Sequence, residues 1–580
     1  MSLKRRIVSK LVSGFALSLV LILSSVSGFA DNSKISPDLQ AAMNGSSGTQ
    51  NVIIQYTQSP SQNSGLLGGL LGTVGNLVGV VLKTVFSLIP AATASLNPST
   101  ILNLSNQPNV AYISLDRTVA GTLDYTASAV GAQYAWQNGL DGTGVGIAVI
   151  DSGIYNHPDL MSADHTHSRI VYRQSFIAGT QNDDYGHGTH VAGILAGNGY
   201  SSSQAGAFRT FKGIAPNANL IDLRVLNANG GSTDSVVVAA LQEAVALKSK
   251  YNIRVINLSL GRPIYESCSH DPLCQAVEAA WNAGIVVVVA AGNYGREGYA
   301  TVLAPGNSPH AITVGCMKTM GTYTRVDDQI ASYSSKGPTY IDETVKPDIV
   351  APGNLVDSLL APGSTLASEF PANVVTWSTY STAPQPPTYM TLSGTSMATP
   401  VVAAAAALML QQSPGLNNET VKARLMKTAT KNFPLYSTTY DSTTNQSYTD
   451  TYDVFTVGAG YLSISAALQN HDTVYGSAQS PSVMYVPLLS LALLMPNFAS
   501  AWWNTPAMAT SAVWGSQVLE PAPTSAVWGS SAVWGSSAVW GSSAVWGSSA
   551  VWGSSAVWGS SAVWGSSAVW GSTLGNGDKN

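Results

Sequence analysis

Charge is what this chain has least of. Only 10 % of its 580 residues are Asp, Glu, Lys or Arg, and the formal net charge is −5. A nucleic-acid partner usually needs a basic face, so none is expected. Cysteine is scarce too. Three residues, Cys268, Cys274 and Cys316, cannot all pair within one chain. Cys268 and Cys274 share one insertion and can close a small surface loop, while Cys316 follows an apolar run at 311–315 and reads as a buried thiol. Long apolar runs are also missing. The stretches at 15–23 and 486–495 fall short of the roughly 20 residues a membrane-spanning helix needs. No stable membrane span is therefore expected in the mature form.

What is present begins with a leader. Lys4, Arg5 and Arg6 form a basic region, 15–23 an apolar core, and Gly28-Phe29-Ala30 supplies small residues for cleavage after Ala30. Residues 1–30 thus read as a secretory signal.

Residues 392–400 read Leu-Ser-Gly-Thr-Ser-Met-Ala-Thr-Pro and run into an Ala-rich apolar stretch at 401–410. The pattern predicts a long buried helix opened by Ser396, which lies in the positive field of the helix start. Alone, this is a serine N-cap on a core helix. Two motifs upstream supply what a nucleophilic serine lacks. At 148–153, Ala-Val-Ile-Asp-Ser-Gly closes an apolar run, so Asp151 sits at the carboxyl end of a buried parallel strand. At 185–193, Tyr-Gly-His-Gly-Thr-His-Val-Ala-Gly places His187 at the start of a helical pattern. The His187–His190 spacing also suits a metal, but no third ligand cluster is evident and no metal is assigned. A serine hydroxyl needs a base within reach, and the base needs an orienting carboxylate. Asp151, His187 and Ser396 supply that set.

The Asp-Ser-Gly, His-Gly-Thr-His and Gly-Thr-Ser-Met-Ala-Thr-Pro motifs, in this order, resemble those of the subtilisin-like serine peptidases over roughly residues 126–470. The resemblance implies a secreted serine endopeptidase that acts on polypeptide substrates through an acyl-enzyme. It needs no cofactor. Asn293, which ends the apolar run at 285–291, matches the family's oxyanion donor. Gly230, Gly231 and Ser232, together with Ser259, Leu260 and Gly261, match segments that flank an extended substrate. Leu303 and Ala304 fall at the first pocket, which implies an uncharged preference. Asp159 matches a calcium-ligand carboxylate of relatives. Calcium needs six or more oxygens and no such set can be assembled, so a structural calcium is unsupported. Val401 stands where many relatives carry His.

The implied fold class is α/β, three layers around a mostly parallel central sheet. A small α+β propeptide and a low-complexity repeat tail flank it. Strands are expected at 144–150, 219–226, 254–259, 285–291 and 311–315, alternating with helices at 187–196, 233–249, 273–282, 396–412 and 419–429. The domains are then a signal at 1–30, a propeptide at 31–120, a catalytic domain at 121–470, a linker at 471–524, repeats at 525–572 and a tail at 573–580. The propeptide, with strands at 51–56 and 109–115, is expected to act as the chain's own inhibitor. Its Gly-rich apolar insert at 65–92 is read as a buried helix, with a membrane-touching segment as the alternative. Residues 116–126 lack apolar periodicity and are expected to be exposed, with self-cleavage between 117 and 126. Residues 357–390, rich in Ser, Thr and Pro, read as a rim loop.

Past residue 470 the resemblance ends. Ser-Ala-Val-Trp-Gly-Ser recurs eight times from 525 to 572, with tryptophans six apart. An even spacing puts all eight on one side of an extended chain. The segment is a low-complexity spacer or an aromatic ladder that binds a partner. The ladder carries the alternative reading of the whole chain, a surface or adhesive protein whose peptidase domain serves only maturation.

Overall fold

The computed structural model of the chain describes residues 32–44, 48–57, 81–85, 91–115, 122–441, 444–474, 476–486, 491–495 and 577–578. The signal at 1–30, most of the insert at 65–92, the cleavage segment up to residue 121 and the repeats at 525–572 lie outside the described residues. Two compact units divide the chain, residues 1–119 and 120–580.

In the first unit, Gln50–Tyr56 (β1), Val81–Val85 (β2), Ala91–Leu96 (β3) and Val110–Leu115 (β4) form an antiparallel sheet in the order β2-β3-β1-β4. β1 alternates as a one-sided strand must, burying Val52, Ile54 and Tyr56. Helices Pro37–Met43 (α1) and Pro98–Ser105 (α2) add Leu39, Ile101 and Leu104 to the same core. Asn97 caps α2 by accepting the Thr100 N–H at 2.9 Å, with Pro98 in the first turn where its missing N–H costs nothing. The helix expected in the insert is corrected here. Its described part, β2, is a strand paired with β3. Val81, Thr84 and Val85 are β-branched, and a neighbouring strand outweighs an apolar pattern too Gly-rich to hold a helix.

In the second unit, Gly146–Asp151 (β5), Ile170–Ser175 (β6), Asn219–Arg224 (β7), Ile253–Leu258 (β8), Val286–Ala290 (β9) and Ile312–Lys318 (β10) build the central sheet. Its order is β10-β9-β8-β5-β7-β6, parallel throughout. Gln329–Ile330 (β11) adds an antiparallel edge, and Ile349–Pro352 (β12) pairs in parallel with β10. β5 and β9 are buried at every position, so helices must cover both faces. Helices His187–Ala196 (α3) and Thr395–Gln412 (α6) pack on each other, as do Asp234–Ala246 (α4) and Pro272–Asn282 (α5). The mostly parallel α/β architecture is therefore present.

The expected rim loop at 357–390 is more ordered than its composition implies. Val356–Leu359 (β13), Val374–Val375 (β14) and Tyr389–Leu392 (β15) form an antiparallel sheet in the order β13-β15-β14. Its pairing partners are too far apart in sequence for a local pattern to show. Nor does the chain leave the unit at residue 471. Asn418–Thr428 (α7) holds Glu419, whose carboxylate accepts the Ala478 N–H, and Ser480 and Val483 are buried. Ser482–Val486 and Leu491–Met495 form a hairpin. Cys268 and Cys274 form a disulfide, and Cys316 is a buried free thiol that burial pushes up to about 12. Among the described residues, no helix is long and apolar enough to cross a membrane.

Candidate active site

Three adjacent strands deliver their carboxyl ends to one edge of the sheet. Asp151 ends β5, Ser259 follows β8, and Asn293 lies just beyond β9. Strands β5, β8 and β9 are neighbours, so these residues emerge side by side, as binding residues do in parallel sheets. His187 opens α3, and Ser396 stands in the first turn of α6.

Small residues set the approach of α3. A Cβ on Gly188 would lie 2.2 Å from the Gly153 carbonyl oxygen and 3.2 Å from the Asp151 Cβ, so glycine lets the helix settle onto the Asp151 loop. His187 Nδ1 then meets Asp151 Oδ1 at 2.7 Å, and both side chains are buried. The carboxylate identifies Nδ1 as the protonated nitrogen. Asp151 Oδ1 also accepts the Ser152 N–H at 2.8 Å, and Oδ2 has no partner among the described residues. Burial alone lowers the His187 pKa. The Asp151 charge, its hydrogen bond and the Asp183 charge outweigh burial and leave the imidazole above its ordinary 6.5.

Sequence reasoning missed the group that holds this pair in place. Asp183 accepts from Ser152 Oγ (2.7 Å), Gly186 N (2.7 Å), Thr189 N (2.8 Å) and Thr189 Oγ1 (2.6 Å). Ser152 Oγ accepts in turn from Gly188 N at 2.9 Å. A carboxylate four residues ahead of a helix-opening histidine was the available signal, since helix starts present unpaired N–H groups. His190, by contrast, points its Nε2 at the carbonyls of Val356 (3.0 Å) and Met390 (3.1 Å), and burial lowers its pKa to about 3. It pins α3 to the β13–β15 sheet.

Ser396 is buried. Pro400, inside α6, has no N–H to give the Ser396 carbonyl one turn back. Ser259 Oγ donates to that carbonyl at 2.8 Å, while Ser396 Oγ donates to the Ser259 carbonyl at 3.2 Å. The two serines are thus joined reciprocally, and the Ser259 side chain faces inward. Asn293 Oδ1 accepts from Thr395 N (2.9 Å) and Thr395 Oγ1 (3.1 Å). A backbone N–H can only donate, so the amide is fixed with Nδ2 pointing away from Thr395. Nδ2 is buried and has no partner among the described residues.

The segments read as substrate-binding follow the carboxyl ends of β7 and β8. Gly230 has φ +74°, and a Cβ there would lie 2.7 Å from the Tyr185 ring. Gly231 and Ser232 are exposed. Leu303 stands close to the Cβ positions of both Gly261 (3.1 Å) and Gly292 (2.8 Å), and Ala304 is bonded to Arg262 through both backbone groups. The oxygens of Asp159 are engaged, Oδ2 by Tyr389 Oη (2.6 Å) and Oδ1 by Ser201 N (2.8 Å), and the residue is fully buried. These donors do not fit a calcium ligand.

The described family model "Subtilase family" matches residues 142–460. Serine protease AprX of Bacillus subtilis (strain 168) is 40 % identical over 361 residues, 60 % of this chain and 76 % of that protein. An alkaline protease of Alkalihalobacillus alcalophilus is 35 % identical over 60 % of this chain and 75 % of its own length. A solved structure, a cold adapted subtilisin-like serine proteinase, shares 29 % identity over 50 % of this chain and 85 % of that one, with a TM-score of 0.37. A family match over more than half of the chain and a 40 % identical relative establish that the chain belongs to the subtilase family, as a serine-type endopeptidase.

Proposed function

We propose that the chain is a secreted endopeptidase made as a self-processed precursor, with Asp151, His187 and Ser396 as its catalytic residues. The observation that carries this reading is the Asn293 amide, held by Thr395 with its Nδ2 buried and free to donate, one residue from Ser396. The buried Asp151–His187 pair supports it.

In this mechanism Ser396 Oγ turns from the Ser259 carbonyl to His187 Nε2 and attacks the scissile carbonyl carbon. Its proton passes to His187, and Asp151 stabilises the imidazolium. The oxyanion accepts from Asn293 Nδ2 and from the Ser396 N–H, one of the first-turn donors that lack an intrahelical acceptor. One such side-chain donor is worth about 3–4 kcal/mol of transition-state stabilisation. The C–N bond breaks, His187 protonates the leaving amine, and water then releases the acyl group with His187 again as base. The peptide lies extended between Gly230–Ser232 and the backbone of residues 259–261, and Leu303 and Ala304 give an uncharged first pocket. Residues 1–30 direct export, and the first unit serves as the inhibitor.

The test is Ser396→Ala. It abolishes peptide hydrolysis and covalent labelling by a fluorophosphonate probe. Labelling of another serine in that variant overturns the assignment of Ser396.

A further inference from the structure

We propose that the second unit carries a buried receptor for the Gly577–Asp578 segment, so that the repeat-bearing stretch is anchored to the peptidase at both of its ends. Residues 496–576, which carry the repeats, lie in sequence between the described Leu491–Met495 and Gly577–Asp578.

The receptor reads both residues. Asp578 is 2 % exposed. Its Oδ1 accepts from Arg296 Nη2 (2.9 Å) and Ser332 Oγ (2.8 Å), and its Oδ2 from Ser332 N (2.6 Å), with Lys318 Nζ 3.8 Å away. The backbone is held as well. Asp578 N donates to Asn354 Oδ1 and Asn354 Nδ2 donates to the Asp578 carbonyl, both at 2.8 Å. A carboxylate bound by a guanidinium, a hydroxyl and a backbone N–H is charge-assisted throughout, and its neutral amide counterpart would turn a donor toward donors. Gly577 has φ +52°, and a Cβ there would lie 2.2 Å from Ser393 Oγ and 2.8 Å from Asn354 Oδ1. The site therefore admits glycine and rejects every side chain.

The receptor is incomplete without its occupant. Lys318 is 1 % exposed, and Asp578 is the one carboxylate within ion-pair distance of it among the described residues. Burying that ammonium without a carboxylate is costly. Arg296 is braced for the task by Asp441 at 2.7 Å, by Ser332 Oγ and by the Tyr448 ring, so the hairpin Tyr436–Asp441 (β16) and Gln446–Thr451 (β17) forms one wall. The opposite wall is the turn at 353–355. Gly353 accepts the Gly394 N–H at 2.9 Å, and the Leu355 N–H donates to Ser393 Oγ at 2.8 Å. The docked segment thus braces the turn against which the strand entering α6 is laid. Receptor and segment share one chain and one unit, so docking is intramolecular.

The test uses the 580-residue chain in its Ser396→Ala form, which prevents self-digestion. Asp578→Asn and Gly577→Ala each lower Tm by roughly 3–6 °C. A fluorescent peptide of residues 575–580, Gly-Asn-Gly-Asp-Lys-Asn, binds saturably to a chain ending at Leu574 and not to the 580-residue chain, whose receptor is filled. Peptides carrying the same two substitutions bind at least about tenfold more weakly. Unchanged Tm values in both point variants overturn the proposal even if the shortened chain fails to fold. Equal binding of the three peptides overturns it too. Concentration-dependent dimers that Asp578→Asn dissolves overturn the intramolecular docking in favour of exchange between copies.

Discussion

At the scale of single residues, orientation decides chemistry. Asn293 could face either way in an isolated strand end, and Thr395 engages its oxygen and leaves the buried nitrogen without a partner among the described residues. Removing it takes a donor from the transition state and leaves ground-state binding alone. Asn293→Ala is expected to lower kcat by roughly 10²–10³ with KM little changed, measured on a peptide substrate. An unchanged kcat reduces Asn293 to a turn residue. His187 yields a second expectation. As a base it must be neutral, and Asp151 holds its pKa above 6.5. Activity therefore falls as pH falls through that raised value. In Asp151→Asn the supporting charge is gone, so the acid limb of kcat/KM moves to lower pH while the rate drops by about 10⁴. An acid limb that stays in place would show that Asp151 does not tune His187. The histidine three residues on behaves oppositely. Burial and the His187 charge keep His190 neutral down to about 3, which suits a pin between backbone carbonyls.

At the scale of elements, buried ionic groups join what the hydrophobic pattern leaves separate. Lys346, Asp348 and Lys422 are fully buried. Asp348 Oδ2 pairs with Lys346 at 2.6 Å and accepts the Thr313 N–H at 2.8 Å, while its Oδ1 faces Lys422 at 3.3 Å and accepts from the Ser480 hydroxyl. One carboxylate thereby ties β10, the lead-in to β12, α7 and the segment beyond residue 470. Burial, opposed by Asp348 and reinforced by Lys422, lowers the Lys346 pKa to about 7. Asp348→Asn leaves two ammoniums against one neutral amide. A loss of roughly 3–5 kcal/mol is expected in denaturant unfolding. A loss below about 1 kcal/mol would mean the cluster adds nothing to the packing of these elements. Proline acts at this scale too, since Pro400 frees the carbonyl through which Ser259 grips α6.

At the scale of the whole molecule, the two units bear on maturation. Self-cleavage was expected between 117 and 126, but Thr122–Ala129 is helical, with Tyr125 and Thr126 buried. A helix does not enter an extended-peptide groove, so the expected window narrows to 117–121, at the boundary between the units. The Ser396→Ala chain should accumulate as an unprocessed form that begins near Asp31, read by mass spectrometry of the exported protein. Normal processing of that variant in a host lacking other exported peptidases would rule out autocatalysis.

The sequence by itself determined the motifs around Asp151, His187, Asn293 and Ser396 and the alternation of buried strands and helices. Both are local: a strand buried on two faces is a short apolar run, and a core helix an apolar stretch, whatever surrounds them. That locality also explains the errors, since Val81–Val85 takes its conformation from the strand it pairs with and the 357–390 insert from partners dozens of residues apart. The tertiary structure alone decided which way the Asn293 amide faces, that Ser259 serves the Ser396 backbone, and that Gly577–Asp578 closes onto Arg296 and Asn354. Each is a hydrogen bond or ion pair whose acceptor or donor is buried by a distant part of the chain. Its strength comes from the exclusion of water, which no window of sequence contains.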